Sequence, residues 1–338
     1  MSIKKNTTLE LFKLFASYAV VFIHVMFSGN FGIAMDTLAR FAVPMFFLTS
    51  GFFSYGITPE KIIKRAKHIF KLIIISSVCY FLFEIFVLVL NGNTNEIIPY
   101  LSQYYNILMI LRLLVFNKPV SSGHLWYLWA ILYVYIIYYF VTKRGVKEKT
   151  IFRISFVLLP LHLLLGEGLS VFNVSLPNMI IRNFAFMGLP LFGLGLFVRK
   201  HRNKICKISN WALIPAVVIG IAEPLAARFW FGKNELYIGS LFILFAIVVV
   251  FLKYPDLKHS YLIDKLIGCS TYIYIFHKMV SAAIIEIYEA FGFDYTASIV
   301  TENLHPLLVC VASTVLAFII VQAEKFFKTH KHKTNLSE

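Results

Sequence analysis

Charged side chains are scarce in this chain. Only 14% of its 338 residues are Asp, Glu, Lys or Arg, while 59% are hydrophobic, and the mean hydropathy is +0.76. Water-soluble domains carry about 25% charged residues. The composition therefore excludes a single water-soluble domain and indicates a membrane protein.

Cysteines are also few. The four cysteines show neither CxxC nor histidine-paired spacing; they are Cys79, Cys206, Cys269 and Cys310. This pattern supports neither a disulfide framework nor a zinc site, and we predict no metal site. The sequence has no repeat, low-complexity tract or soluble domain either, so residues 1–338 are predicted to form one membrane domain.

Long apolar windows follow one another along the chain. Because a bilayer core of about 30 Å needs roughly 20 mostly apolar residues per helix, ten windows qualify, near residues 9–27, 38–56, 72–90, 124–142, 151–166, 182–199, 210–227, 237–252, 265–285 and 305–327. We therefore expect an all-α polytopic membrane protein with about ten transmembrane helices.

The positive charges predict the orientation of these helices. The chain has 32 basic and 17 acidic residues, a formal net charge of +15. If the N-terminus is cytoplasmic, 24 of the 32 basic residues fall on the inner side, including Lys4, Lys5, Lys258, Lys331 and Lys333. Lys and Arg concentrate in short cytoplasmic loops. Both termini are therefore expected to be cytoplasmic, and the excess charge is explained by the bilayer as partner rather than by nucleic acid.

The segment 91–123 is predicted to be an external loop. Its apolar stretch 97–116 carries Gln103, Asn106 and Arg112, and counting it as another span would place the basic cluster Lys143–Arg153 outside. We therefore interpret it as an interfacial or re-entrant helix.

The first window carries an unusual stripe of polar residues. Glu10, Lys13, Ser17, His24 and Ser28 share one helical face. Lys13 and His24 differ by only about 20° around the helix and by roughly 16 Å along it. Ionisable residues are costly inside a membrane, which makes them candidates for function.

These residue types suit acid–base chemistry. Histidine can take a proton from a hydroxyl near neutral pH, a lysine can hold an anion or an oxyanion, and Glu10 can pair with Lys13. Alternatively, Lys13 reaches the inner interface and His24 bonds to a neighbouring helix. The stripe alone leaves both interpretations open.

Several motifs in order along the chain resemble acyltransferase family 3, a family of integral membrane O-acyltransferases. The family has an Arg, ten residues and a His in its first span; here Lys13 stands in the Arg position and His24 in the His position. Lysine keeps the charge but lacks the planar fork of arginine. Further similar segments are Arg40–Phe53, the basic Lys64–His68, Gly123–Leu128, Gly268–His277 and Glu324.

The resemblance implies an acyl-CoA-dependent O-acyltransferase, with O-acetyl transfer as the expected activity. His24 would be the essential histidine, as general base or acyl carrier, and Lys13 would replace the paired arginine. The acyl group would come from cytoplasmic acetyl-CoA or another acyl-CoA, with no bound cofactor. It would pass to a hydroxyl of an extracytoplasmic acceptor, a cell-surface or cell-wall glycan, at a bacterial cell membrane.

Other residues are candidates for binding. Four basic residues have the positive charge and the predicted cytoplasmic position needed to bind CoA phosphates: Lys61, Lys64, Arg65 and Lys67. Binding to anionic lipid explains their positions equally well. The predicted acceptor-binding residues are Arg40 at the outer end of the second span, His124, Trp126, Tyr127 and His277. The aromatic residues also fit a membrane-interface belt, and His277 an interhelical hydrogen bond.

The sequence also fits a second function. Membrane domains resembling this family also occur fused to serine racemases, where they handle a small amino acid. A transporter or binding domain of that kind would also have about ten spans and polar residues near the midplane. The sequence predicts no particular oligomeric state.

Overall fold

A computed structural model describes residues 6–120, 122–257 and 261–334, with only the backbone of Leu262 and of residues 330–334. Over these ranges the chain is helical and has no strand. The helices are α1 (Thr7–His24), α2 (Gly29–Leu38), α3 (Ala42–Phe52), α4 (Pro59–Leu90), α5 (Ile97–Tyr104), α6 (Ile107–Phe116), α7 (Trp126–Lys143), α8 (Glu148–Leu163), α9 (Asn178–Ile181), α10 (Leu189–Ile205), α11 (Leu213–Phe231), α12 (Ile238–Lys253), α13 (Tyr261–Leu266), α14 (Ser270–Ala290) and α15 (Ile299–Thr334). Two π-helices, Leu164–Gly168 and Phe184–Gly188, extend α8 and precede α10. The all-α fold is confirmed.

Within the described residues, seven helical stretches are long and apolar enough to cross a membrane: Thr7–His24, Gly29–Phe52, Pro59–Leu90, Gly123–Lys143, Glu148–Gly168, Asn210–Phe231 and Ile299–Thr329. Helices also lie at the other three predicted windows, where α10 and α12 are shorter and α14 carries Lys278, Glu286 and Glu289. Membrane-spanning helices are thus confirmed, whereas ten spans and cytoplasmic termini stay predictions. Lys4, Lys5 and Lys258 lie outside the described residues, as do the side chains of Lys331 and Lys333.

The segment 91–123 contains two short helices, α5 and α6. Asn106 starts α6 because its side-chain oxygen accepts a hydrogen bond from the Met109 amide at 3.0 Å. Asn117, in the left-handed conformation with φ 49°, ends it. At 10 residues, α6 is about 15 Å long, half the thickness of a bilayer core. Its interfacial or re-entrant position stays a prediction.

The chain divides into two compact units. Unit 1 comprises Met1–Ala42 and Phe245–Glu338, and unit 2 comprises Val43–Leu244. The prediction of a single domain over residues 1–338 therefore stays a prediction.

In unit 1, α1 packs against α14 and α15, and α14 packs along α15. The core between them is apolar and includes Leu14, Val21, Ile273, Val309 and Ala317. Burial of such side chains stabilises each by about 1.5–3 kcal/mol relative to exposure. This packing brings residues from both ends of the chain together.

The first two helices are delimited by local signals. Asn6 begins α1, since its side chain accepts a hydrogen bond from the Leu9 amide at 2.8 Å. The helix ends at His24, and the chain becomes helical again at Gly29, which has φ +59°. The second candidate span therefore runs from Gly29 to Phe52. This helical stretch starts earlier than the predicted window, and Arg40 lies midway along it. The position of Arg40 at the outer side of the membrane stays a prediction.

In unit 2, α4 packs against α7, and α8 packs against α10. Two glycines permit a close approach of α3 and α10. A Cβ at Gly51 would overlap the Phe192 carbonyl oxygen, and a Cβ at Gly195 would overlap the Leu48 carbonyl oxygen. The backbones of these two helices are therefore in direct contact, as in small-residue interfaces of membrane helices.

Candidate active site

Unit 1 carries ionisable and hydroxyl side chains on its three packed helices, which we call the polar track: Lys13 and His24 on α1, His277 and Ser281 on α14, and His305 on α15. At one end, the Lys13 ammonium lies 3.0 Å and 3.2 Å from the two carboxylate oxygens of Glu10. The side chains of Lys13 and Glu10 are 25% and 20% exposed. The pair places a positive charge next to a negative one on a single face of α1.

His24 and His277 form the centre of the track. His24 is the last residue of α1 and is exposed, whereas His277 on α14 is fully buried. Their ring centroids are 5.3 Å apart, with the ring planes 33° from parallel. The predicted essential histidine therefore contacts the second predicted histidine.

The backbone of α14 fixes the tautomer of His277. Its Nδ1 lies 2.8 Å from the Tyr274 carbonyl and 3.2 Å from the Ile273 carbonyl. Carbonyl oxygens only accept, so Nδ1 carries the proton and Nε2 is the acceptor nitrogen.

The track continues to a pair that sequence reasoning missed. Ser281 lies one turn beyond His277 on α14, and its hydroxyl is 3.2 Å from Nε2 of His305 on α15. His305 is 3% exposed and packs against Tyr295 at 4.6 Å between ring centroids. Among the described residues, Nδ1 of His305 has no hydrogen-bond partner. The available signal was an ionisable residue at the first position of the window 305–327.

Two further hydrogen bonds tie α15 to its neighbours. The Tyr18 hydroxyl on α1 lies 2.9 Å from the Thr314 hydroxyl. The Tyr272 hydroxyl on α14 donates to a carboxylate oxygen of Glu324 at 2.5 Å. These bonds join the three helices at separate levels and hold the track in place.

Arg40 forms a buried ion pair with Asp36, a residue that the sequence patterns did not single out. One guanidinium nitrogen is 2.5 Å from Asp36 Oδ1, and the side chains are 5% and 1% exposed. They are four residues apart, so both lie on one helical face. The 3₁₀ turn Ala39–Phe41, which carries Arg40, packs against α1. Acceptor binding by Arg40 stays a prediction.

The basic residues of α4 do not form one uniform cluster. Lys61, Lys64 and Lys67 are exposed, whereas Arg65 is half-buried. Arg65 donates a hydrogen bond to the Ser54 hydroxyl at 2.8 Å. The three lysines, which we call the lysine cluster, are thus available to an anion, and Arg65 holds the start of α4 within unit 2.

The aromatic candidates lie in unit 2 and are more buried than expected. His124 is 4% exposed and packs edge-on against Tyr80, and Trp126 is 6% exposed. The Arg182 guanidinium covers the Trp126 ring at 5.4 Å. Because one face of Trp126 is covered, its burial favours packing over an exposed platform for a sugar.

Tyr127 also packs inside unit 2. Its ring lies 4.7 Å from that of Phe47, and its hydroxyl is 3.5 Å from the Ser50 hydroxyl. Binding of acceptor by His124, Trp126 and Tyr127 remains a prediction.

The sequence profile of a family described as Acyltransferase domain matches residues 6–322, nearly the whole chain. The chain belongs to acyltransferase family 3. Comparison with curated proteins and with solved structures found no match.

Family membership gives the geometry a chemical context. The first-span motif containing Lys13 and His24 and the late motif ending at His277 are far apart in the sequence, yet both lie in unit 1 and meet at the two histidine rings. An acyltransferase 3 domain of membrane-spanning helices is thus established for this chain.

Proposed function

We propose that this acyltransferase 3 protein transfers an acyl group, most simply acetyl, from cytoplasmic acyl-CoA to a hydroxyl of an extracytoplasmic glycan. It would act in a bacterial cell membrane with ten spans and both termini inside. The observation that carries the proposal is the contact of His24 with His277 in the unit that also holds the Lys13–Glu10 pair.

In the proposed reaction His24 acts as general base. It accepts the proton of the acceptor hydroxyl while the oxygen attacks the thioester carbonyl carbon. The carbon–sulfur bond then breaks, and the CoA thiolate takes the proton from His24. Proton transfer by a positioned side chain typically accelerates a reaction by about 10²–10⁴-fold.

Lys13 serves a different part of the donor. Eleven residues of helix separate it from His24 by roughly 16 Å, so the two side chains do not meet at one reacting atom. Lys13, oriented by Glu10, would instead hold an anionic or polar group of the donor near the inner side. The lysine cluster on α4 would contact the CoA phosphates.

In the alternative mechanism His24 carries the acyl group. Its ring nitrogen would attack the thioester, release CoA and then give the acyl group to the acceptor hydroxyl. The two mechanisms differ in one observable, because only the second leaves label on the protein when acceptor is absent.

The test uses purified full-length protein in nanodiscs with radiolabelled acetyl-CoA. In the His24→Ala variant, we expect the rate of acyl transfer to the acceptor to fall by about 10²–10⁴-fold. Without acceptor, the slow hydrolysis of acyl-CoA should fall by a similar factor. His201→Ala is the control, because His201 lies in the other unit, where its ring bonds to the Phe197 carbonyl at 3.0 Å. It should remain as active as the wild type.

Two results would contradict the proposal. Full turnover by His24→Ala would remove His24 from the reaction. No binding and no turnover of acyl-CoA by folded wild type would favour the transporter function, and uptake of a labelled amino acid into vesicles, without chemical change, would then support it.

A further inference from the structure

Two loops of unit 2 enclose a polar pocket of about 390 Å³. We call it the loop pocket. Its polar lining consists of Ser170, Asn173, Ser175, Asn178, Lys233, Asn234 and Glu235. The volume lies near the lower end of small-molecule sites, about 300–1,000 Å³.

Hydrogen bonds join the two loops. The Asn234 side chain donates to the Ser170 hydroxyl at 3.1 Å, and both residues are 8% exposed. The Ser170 hydroxyl donates to the Glu167 carbonyl at 2.6 Å. The backbone N–H of Asn234 donates to the Tyr237 hydroxyl at 3.0 Å. These bonds hold the floor of the loop pocket in place.

The backbone around the loop pocket is unusual at two points. Gly166, which lines it, belongs to the π-helix Leu164–Gly168. Asn173 has φ +57°, in the left-handed region. π-Helical turns occur frequently at functional sites.

The side chains of the loop pocket suit a ligand rich in hydroxyl groups. Each asparagine amide both donates and accepts, and each serine hydroxyl does the same. Phe231 adds an aromatic surface to the lining. The lining carries one positive and one negative side chain, Lys233 and Glu235, and Glu235 also lies 3.6 Å from Arg182. An uncharged sugar needs this combination of amides, hydroxyls and one ring face.

Both loops lie on the predicted outer side. They come after the windows 151–166 and 210–227, each of which runs outward if the N-terminus is cytoplasmic. We infer that the loop pocket binds a sugar unit of the acceptor glycan. The assignment of this sugar to the acceptor glycan rests on the proposed function, but sugar binding itself is measurable without acyl transfer.

The experiment measures binding of two probes, the methyl glycosides of glucose and of N-acetylglucosamine, by saturation-transfer NMR on the full-length protein. The variants are Ser175→Ala/Asn178→Ala, which removes polar groups, and Asn178→Trp, which fills the space. Both positions are exposed, so the fold should survive, and circular dichroism checks this. Asn95→Ala, an exposed amide in the loop 91–123, is the matched control.

We expect wild type and Asn95→Ala to bind at least one glycoside with equal affinity. The double variant should bind about tenfold more weakly, since two hydrogen bonds are lost, and Asn178→Trp should not bind. Equal binding by all variants, no binding by wild type, or binding of a free amino acid that displaces the glycoside would each overturn the inference.

The two proposals fail in different assays. If acyl-CoA turnover depends on His24 but glycoside binding is unchanged in the loop-pocket variants, only the sugar site is overturned. Glycoside binding that depends on Asn178, without acyl-CoA turnover, would overturn only the acyltransferase chemistry.

Discussion

The imidazole rings of His24 and His277 lie 5.3 Å apart, although one ends the first helix and the other sits in the next-to-last. The burial of His277 and its bonds to the Tyr274 and Ile273 carbonyls leave that ring with one orientation. His277 is thus suited to position His24 rather than to react itself.

Replacement of His277 by Phe tests this role. Phe fills the space but has no ring nitrogen, so we expect acyl transfer to fall at least about tenfold, or ~1.4 kcal/mol in the barrier. The KM for acyl-CoA should stay constant, because the change lies at the acceptor-activating residue. Steady-state kinetics with His201→Phe as control provide the measurement, and a rise in KM at constant kcat would point to donor binding instead.

The Asp36–Arg40 pair predicts a large loss of stability. Asp36→Ala leaves a buried guanidinium without its carboxylate, which costs about 3–5 kcal/mol. The double variant Asp36→Leu/Arg40→Met should recover most of this loss, because it removes both charges. Thermal unfolding in detergent measures both. If the double variant is as unstable as the single one, the pair is not what stabilises this turn.

The contact of α3 with α10 predicts that added methyl groups are not tolerated. Gly51→Ala and Gly195→Ala should each cost about 1–3 kcal/mol or more, because the new Cβ meets backbone that cannot move aside alone. Gly123→Ala is the control, since a Cβ there meets nothing within 4 Å. Melting temperatures of all three report the result, and equal values would mean that the helices are farther apart.

The Tyr272–Glu324 hydrogen bond predicts coupling between α14 and α15. In a double-mutant cycle with Tyr272→Phe and Glu324→Gln we expect a coupling energy of about 1–2 kcal/mol. The Lys328 ammonium lies 3.7 Å from a Glu324 carboxylate oxygen, but the Lys328 side chain is 79% exposed. A double-mutant cycle of Glu324 with Lys328 should therefore give a coupling energy of only about 0–0.5 kcal/mol. Similar energies in the two cycles would argue against a specific bond.

The lysine cluster predicts a salt-dependent donor affinity. Lys61→Gln/Lys64→Gln/Lys67→Gln should raise the KM for acyl-CoA several-fold at low salt and less at high salt, because added ions screen exposed charges. Lys143→Gln/Lys147→Gln/Lys149→Gln removes the same charge from another predicted inner loop. If both triple variants change the KM for acyl-CoA equally, the lysine cluster contacts lipid or sets the topology and does not bind the donor specifically.

The sequence predicted the helices, because apolar length and helical spacing are local properties. The family motifs also pointed to His24 and His277. Asp36 was missed because the predicted window began at residue 38, whereas the helical stretch begins at Gly29 and includes the polar Asn30 and Asp36. The Ser281–His305 bond depends on how two helices pack, and no periodicity within either helix encodes that. The burial of Trp126 likewise depends on Arg182, which comes from another helix end.

The π-helix Leu164–Gly168 makes the local chain length critical. A π-turn accommodates one residue more than an α-turn, so it takes up an extra residue with little rotation of the helix on either side. Deletion of one residue from this segment would restore a regular helix, whereas insertion of one more would rotate the chain after Gly168 by about 100° against α8. Ser170 and His162 would then face different directions. Unit 2 should therefore tolerate a one-residue deletion in this segment better than a one-residue insertion.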